Sequence, residues 1–87
     1  MTEYSVEVRV TPRRGILDPQ GSAVRGALRS LGFGEVGEVH VGRLIVFTVE
    51  ADSESAAAER AQAMCRQLLA NPVTEDFDVR VTAPAAA

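Results

Sequence analysis

From Glu3 to Val10 the chain alternates strictly: Tyr4, Val6, Val8 and Val10 fall on one side, Glu3, Ser5, Glu7 and Arg9 on the other. That is the period of a strand with one face on a core and one face open. The pattern breaks over Pro12–Gly21, then returns at helical spacing in Ala23, Val24, Ala27, Leu28 and Leu31, predicting a helix over Pro19–Leu31. Asp18 is its expected N-cap, Pro19 suits the first helical position, and Gly32 is the expected stop. Arg25 and Arg29 stand four apart on the far side as a like-charge pair, and Gly26 weakens the helix interior.

Gly34 to Glu50 reads as a β-hairpin turning at Gly42-Arg43, which would set Val41 opposite Leu44 and Val39 opposite Val46. Both faces of its second strand are apolar: Leu44 and Val46 on one, Ile45, Phe47 and Val49 on the other. Asp52 or Ser53 should cap a second helix running to about Ala70, with Ala57, Ala61, Met64, Cys65 and Leu68 as its buried stripe. Asn71-Pro72 ends it. Phe77, Val79 and Val81 then alternate with Asp76, Asp78, Arg80 and Thr82 in a last strand, leaving residues 83–87 as a frayed tail.

The order is βαββαβ: an α+β fold with a ferredoxin-like antiparallel four-stranded sheet and two helices on one face. With 87 residues the chain is a single domain, 1–87. A domain of this size buries only roughly 60–65% of its unfolded surface, so oligomerisation would add needed burial. One of the two apolar faces of the 44–49 strand must lie away from the helices, and monomers seldom leave such a patch unused. Association through the sheet face, or through a strand edge, is the physical expectation.

Charge and composition narrow the partners. The net charge of −3 argues against a general nucleic-acid or anionic-membrane binder. RNA-recognition modules of the same strand order stack bases on sheet aromatics, whereas the first and last strands here offer Glu, Asp, Ser and Thr. The single Cys65 excludes an internal disulfide and reads as a small core residue. No basic-then-apolar leader opens the sequence, and no apolar run approaches membrane length, so a cytoplasmic location is expected.

No set of residues resembles a self-sufficient active site. The lone histidine, His40, reads as structural or solvated, and no Gly-x-Ser-x-Gly elbow is present. Asp76 and Asp78 share a strand face and read as the charged outside of an edge strand rather than an acid–base pair. The Pro12–Gly21 connection stands out instead. It is longer than most loops of compact domains, and it carries Arg13, Arg14, Gly15 and two apolar residues into a helix N-terminus. Arginines there can hold a phosphate or carboxylate, although Asp18 would occupy the same backbone N–H groups.

These segments together resemble the PurS family of phosphoribosylformylglycinamidine synthase subunits. The residues that carry the likeness are Val8-Arg9-Val10-Thr11-Pro12, Gly15-Ile16-Leu17-Asp18-Pro19-Gln20-Gly21, Ala27-Leu28 and Leu31-Gly32-Phe33. Val39 through Arg43, and Cys65 with Leu68-Leu69-Ala70-Asn71-Pro72-Val73, extend it to about residues 3–82. The Leu-Asp-Pro-Gln-Gly and Leu-Leu-Ala-Asn-Pro runs are its most specific parts. The chain departs from the family at His40, where arginine is frequent, at Arg43, where lysine is, and at Thr74, where isoleucine is.

The resemblance implies a small non-catalytic subunit of a purine-biosynthetic ligase. That complex converts formylglycinamide ribonucleotide to the amidine with ATP, magnesium and the amide nitrogen of glutamine. This chain would bind no cofactor alone. It would form a homodimer, or a tetramer built from it, and bridge the glutaminase and synthetase subunits along a protected ammonia route. Arg13, Arg14, Asp18 and Gln20 in the loop, Arg43 at the hairpin tip and Asn71 are the candidate contacts with a partner or a substrate phosphate. The other reading is a stand-alone regulatory domain of βαββαβ type that binds a small ligand.

Overall fold

The structure is a computed structural model that describes residues 2–84. Three strands form one antiparallel sheet in the order β2-β1-β3: β1 is Thr2–Pro12, β2 Arg43–Ala51 and β3 Glu75–Pro84. The helices are α1, Pro19–Ser30, and α2, Glu54–Met64, and α2 continues into a π-helical turn over Cys65–Leu69. The α+β class, the antiparallel sheet and the two helices agree with the sequence reading. The strand count differs by one, because residues 34–42 enter no ladder among the described residues. Of the expected tail, Ala83 and Pro84 belong to β3, and residues 85–87 lie outside the described residues.

The core forms where the alternation of β1 meets small residues of α2. Val6, Val8 and Val10 are fully buried, flanked in register by Phe47 and Val81, Ile45 and Val79, and Phe77. Ala57, Ala61 and Cys65 recur every four residues and let α2 approach the sheet closely. Ser53, whose hydroxyl accepts from the Ala56 N–H at 3.1 Å, caps this helix. The expected stripe holds through Cys65 and then shifts. Ala70 N–H reaches back five residues to the Cys65 carbonyl at 3.0 Å, so one extra residue enters the turn. Leu69 therefore packs against the core, and Leu68, expected inside, is 82% exposed.

The register also settles the two faces of β2. Ile45, Phe47 and Val49 lie on the α2 side, while Leu44 and Val46 are 57% and 62% exposed on the open face. There Glu7 stands between Val46 and Arg80, and Arg9 between Leu44 and Asp78. Opposite charges facing each other across strands favour this register.

The hairpin expected at Gly42-Arg43 does not form. A two-residue hairpin turn needs a left-handed residue at its first central position. Among the described residues only Gly15 and Gly32 have positive φ, and Gly42 does not. The Val41 N–H is instead donated to Asp18 Oδ2 at 2.9 Å, and Gly42 lies against the Val10 carbonyl and the Thr11 methyl. The chain thus runs past the end of the sheet and returns alongside α1, where Arg29 Nη2 donates to the Val36 carbonyl at 3.1 Å. Helix α1 ends in a Schellman motif: Gly32 at φ 103°, with Phe33 N–H to the Leu28 carbonyl and Gly32 N–H to the Arg29 carbonyl. Together α1 and residues 31–41 form an arm beyond the sheet. The helix stripe expected in the core is therefore uncovered within the chain, with Leu31 74% exposed.

Candidate functional site

At the end of the sheet where β1 leaves and β2 enters, four segments meet: the 13–18 loop, residues 38–42, the start of β2 and the 70–75 turn. Asp18 is the hinge of this region. One carboxylate oxygen accepts the Gly21 N–H at 3.0 Å, capping α1 as the sequence predicts. The other accepts the Val41 N–H, closing the base of the arm. These two backbone donors, Gly21 first, hold the Asp18 carboxyl below its ordinary pKa against the opposing effect of burial. Gly21 is required here, since a side chain would run into the Val39 carbonyl and come within 2.6 Å of Asp18 Oδ2. His40 joins the same cluster, with Nδ1 3.6 Å from Asp18 Oδ2 and Nε2 3.4 Å from Glu38 Oε2.

Arg43, expected at a hairpin tip, is the first residue of β2 and ties three elements together. Its guanidinium meets both oxygens of Glu75, at 2.8 and 3.0 Å, and donates to the Leu69 carbonyl at 2.7 Å. This fork-on-carboxylate geometry is the strong form of an ion pair. It lowers the pKa of Glu75, helped by the Asn71 N–H, and raises that of Arg43. The Asn71 side chain is turned inward to its own turn, where Oδ1 accepts the Val73 N–H at 3.0 Å and shapes the connection into β3.

The loop arginines divide. Arg13 Nε donates to Asp76 Oδ1 at 3.1 Å across the β1–β3 register, both groups being largely exposed. Arg14, at the exposed turn, has no side-chain partner among the described residues. Gln20 lines an open cleft of about 250 Å³ with Ile16, Leu17, Arg43 and Glu75. A second cleft of about 200 Å³ runs beside it past Ser22, Arg25 and His40. The structure therefore gathers Asp18, Gln20 and Arg43 around one cleft, holds Arg13 in a pair at the adjoining β1–β3 edge, and leaves Arg14 free. Glu75 was missed by sequence reasoning. Its only signal was an acid directly after the Asn71-Pro72 turn, and its partner lies 32 residues away.

This surface mixes formed ion pairs, the exposed Arg14 guanidinium and exposed Ile16, Leu17 and Val73. Apolar groups rimmed by charge suit contact with a macromolecule. No helix of the described chain is long and apolar enough to cross a membrane. By fold and site the molecule is an α+β protein with an antiparallel sheet, two helices and an ion-paired contact surface at one end of that sheet.

The family model described as PurS, phosphoribosylformylglycinamidine (FGAM) synthase, matches residues 5–83. A PurS subunit of that synthase from Synechocystis sp. is 41% identical over 92% of this chain and 80% of its own. The Bacillus subtilis PurS structure superposes with a TM-score of 0.81 at 40% identity, covering 92% of this chain and 99% of that one. A chain in the structure of PurLQS from Thermotoga maritima gives 0.84 at 30% identity, covering 94% and 100%. The chain belongs to the PurS family, the PurS subunit of phosphoribosylformylglycinamidine synthase, a multi-subunit ligase of purine biosynthesis.

Proposed function

We propose that this chain is a cytoplasmic, homodimeric assembly subunit that joins the glutaminase and synthetase subunits of phosphoribosylformylglycinamidine synthase and supports ammonia transfer between them. One observation carries the reading: 94% of the chain is matched by a chain in the structure of a PurLQS assembly. The site adds physical support, since the surface at the sheet end offers charged and apolar groups for docking. ATP and magnesium belong to the synthetase in this account, and the loop arginines, Asp18, Gln20, Arg43 and Asn71 act at the subunit contacts or near the substrate phosphate.

What one chain leaves uncovered supports the homodimer. The largest fully buried side chains are three valines and Cys65, while Leu17, Leu31 and Leu68 are exposed. The radius of gyration is 16.5 Å, against about 12 Å for a compact domain of this length. A second copy would supply the missing burial. The test is co-elution of the purified chain with its synthetase and glutaminase under turnover conditions, beside a thermal-shift screen of the chain alone with amino acids and nucleotides. A stable ternary complex and no ligand shift are expected. A ligand-induced shift without co-elution would overturn the assembly reading in favour of a regulatory domain.

A further inference from the structure

We infer that the cleft between α1 and residues 38–40 is a carboxylate-binding site built around Arg25. The inference goes beyond the assembly reading, since it rests on groups within one chain. Arg25 lies half-buried in α1, and its Nε is shut off from solvent with no hydrogen-bond partner among the described residues. A buried donor left unpaired is costly, because it has given up water and gained nothing in return. Arg29, one turn further along the same helix, shows the contrast: its guanidinium donates to the Val36 carbonyl at 3.1 Å.

The cleft is lined by two carboxylates, and neither serves Arg25. Asp18 accepts the Gly21 and Val41 N–H groups and stands 3.6 Å from His40 Nδ1. Glu38 turns to His40 Nε2 at 3.4 Å. The Arg25 Nε is thus left without an acceptor beside a space of about 200 Å³. Ser22, three residues before Arg25 and so on the same face of α1, lines that space with a hydroxyl donor. Ile16 and Leu17 supply an apolar wall.

These groups select among anions. A planar carboxylate matches the side-on pair of donors that an arginine presents through Nε and one Nη. A phosphate, with about two negative charges at neutral pH, would be repelled by Asp18 and Glu38. The apolar wall suits a short aliphatic chain next to the acid group. The ligand class is an aliphatic monocarboxylate, either a free small acid or the side chain of a glutamate or aspartate on a bound protein chain.

The test follows the Arg25 Nε–H resonance of the whole chain by proton–nitrogen NMR, assigned through its loss in Arg25→Lys. Sodium propionate is titrated against sodium chloride at constant ionic strength, with inorganic phosphate in parallel. The expected result is a saturable shift with propionate, larger than that of Arg60, an exposed arginine on α2, and at lower concentration than with phosphate. Ser22→Ala, which keeps the reporting arginine, should weaken propionate binding about tenfold. No saturable response of Arg25 to propionate, or a stronger one to phosphate, would overturn the carboxylate site. This arm needs no partner subunit, so its outcome is independent of the assembly reading. The source of the acid is then read from co-elution with the synthetase and glutaminase. Assembly weakened by Arg25→Gln but not by Arg60→Gln, with competition by propionate, assigns the site to an acidic side chain of a bound chain. Unchanged assembly assigns it to a free acid.

Discussion

Two glycines lie in α1, and the structure gives them opposite roles. At Gly26 a methyl group would meet nothing within 4 Å. Gly26→Ala should therefore gain the full helix-propensity difference, about 1 kcal/mol, partly by restricting the unfolded chain. At Gly21 the same methyl would overlap the Val39 carbonyl and lie 2.6 Å from Asp18 Oδ2. A backbone carbonyl cannot rotate aside as a flexible side chain can. Overpacking of this kind costs roughly 1–3 kcal/mol, which exceeds or cancels the propensity gain. Gly21→Ala should then gain nothing or be destabilised by up to about 2 kcal/mol, and the two variants should differ by about 1–3 kcal/mol. For a domain of this size each kcal/mol moves the midpoint by roughly 4–8 °C. The assay is urea unfolding at one fixed protein concentration, since any self-association would make stability concentration-dependent. If Gly21→Ala were stabilised as much as Gly26→Ala, the closed base of the arm would be wrong.

Two further outcomes follow from the same site. Asp18 and Glu75 both have folded-state pKa values below their ordinary ones, so their contributions are complete above the unfolded values, near pH 4, and are lost as pH falls through the folded values. Stability should drop below about pH 4, and Asp18→Asn with Glu75→Gln should flatten that acid limb in denaturant titrations; an unchanged limb would contradict the assignment. Arg13→Ala with Arg14→Ala should weaken complex assembly or raise the substrate concentration needed for synthesis, with the isolated fold intact because Arg13 loses only an exposed pair. Unchanged glutamine-dependent synthesis by that double variant would remove the loop from the interface.

Much of the fold can be read from periodicity because period-2 and helical patterns report directly on which side is buried. The strict alternation of β1 and β3, the Asp18 and Ser53 caps and the Gly32 stop all stand in the structure. The errors arise where a long-range bond outweighs a local pattern. Residues 34–42 have strand-like composition, but the Val41 N–H is taken by a carboxylate 23 residues earlier. Leu68 fits the α2 stripe until the π-turn adds a residue, and nothing local announces that turn. The α1 stripe reads as core because amphipathicity shows that a face needs cover but not which chain provides it. In the candidate site, the loop and Arg43 are visible as unusual charge in a small domain. The Arg43–Glu75 pair is not, because its partners are separated by a helix and two turns.

The central claim is that this chain serves the transfer of ammonia between two other subunits. Its most direct test is product formation by synthetase plus glutaminase, with and without this protein, supplied in parallel with glutamine or with ammonia. The account predicts that glutamine-driven synthesis requires the chain while ammonia-driven synthesis depends on it much less. Equal dependence of both reactions, or of neither, would contradict it.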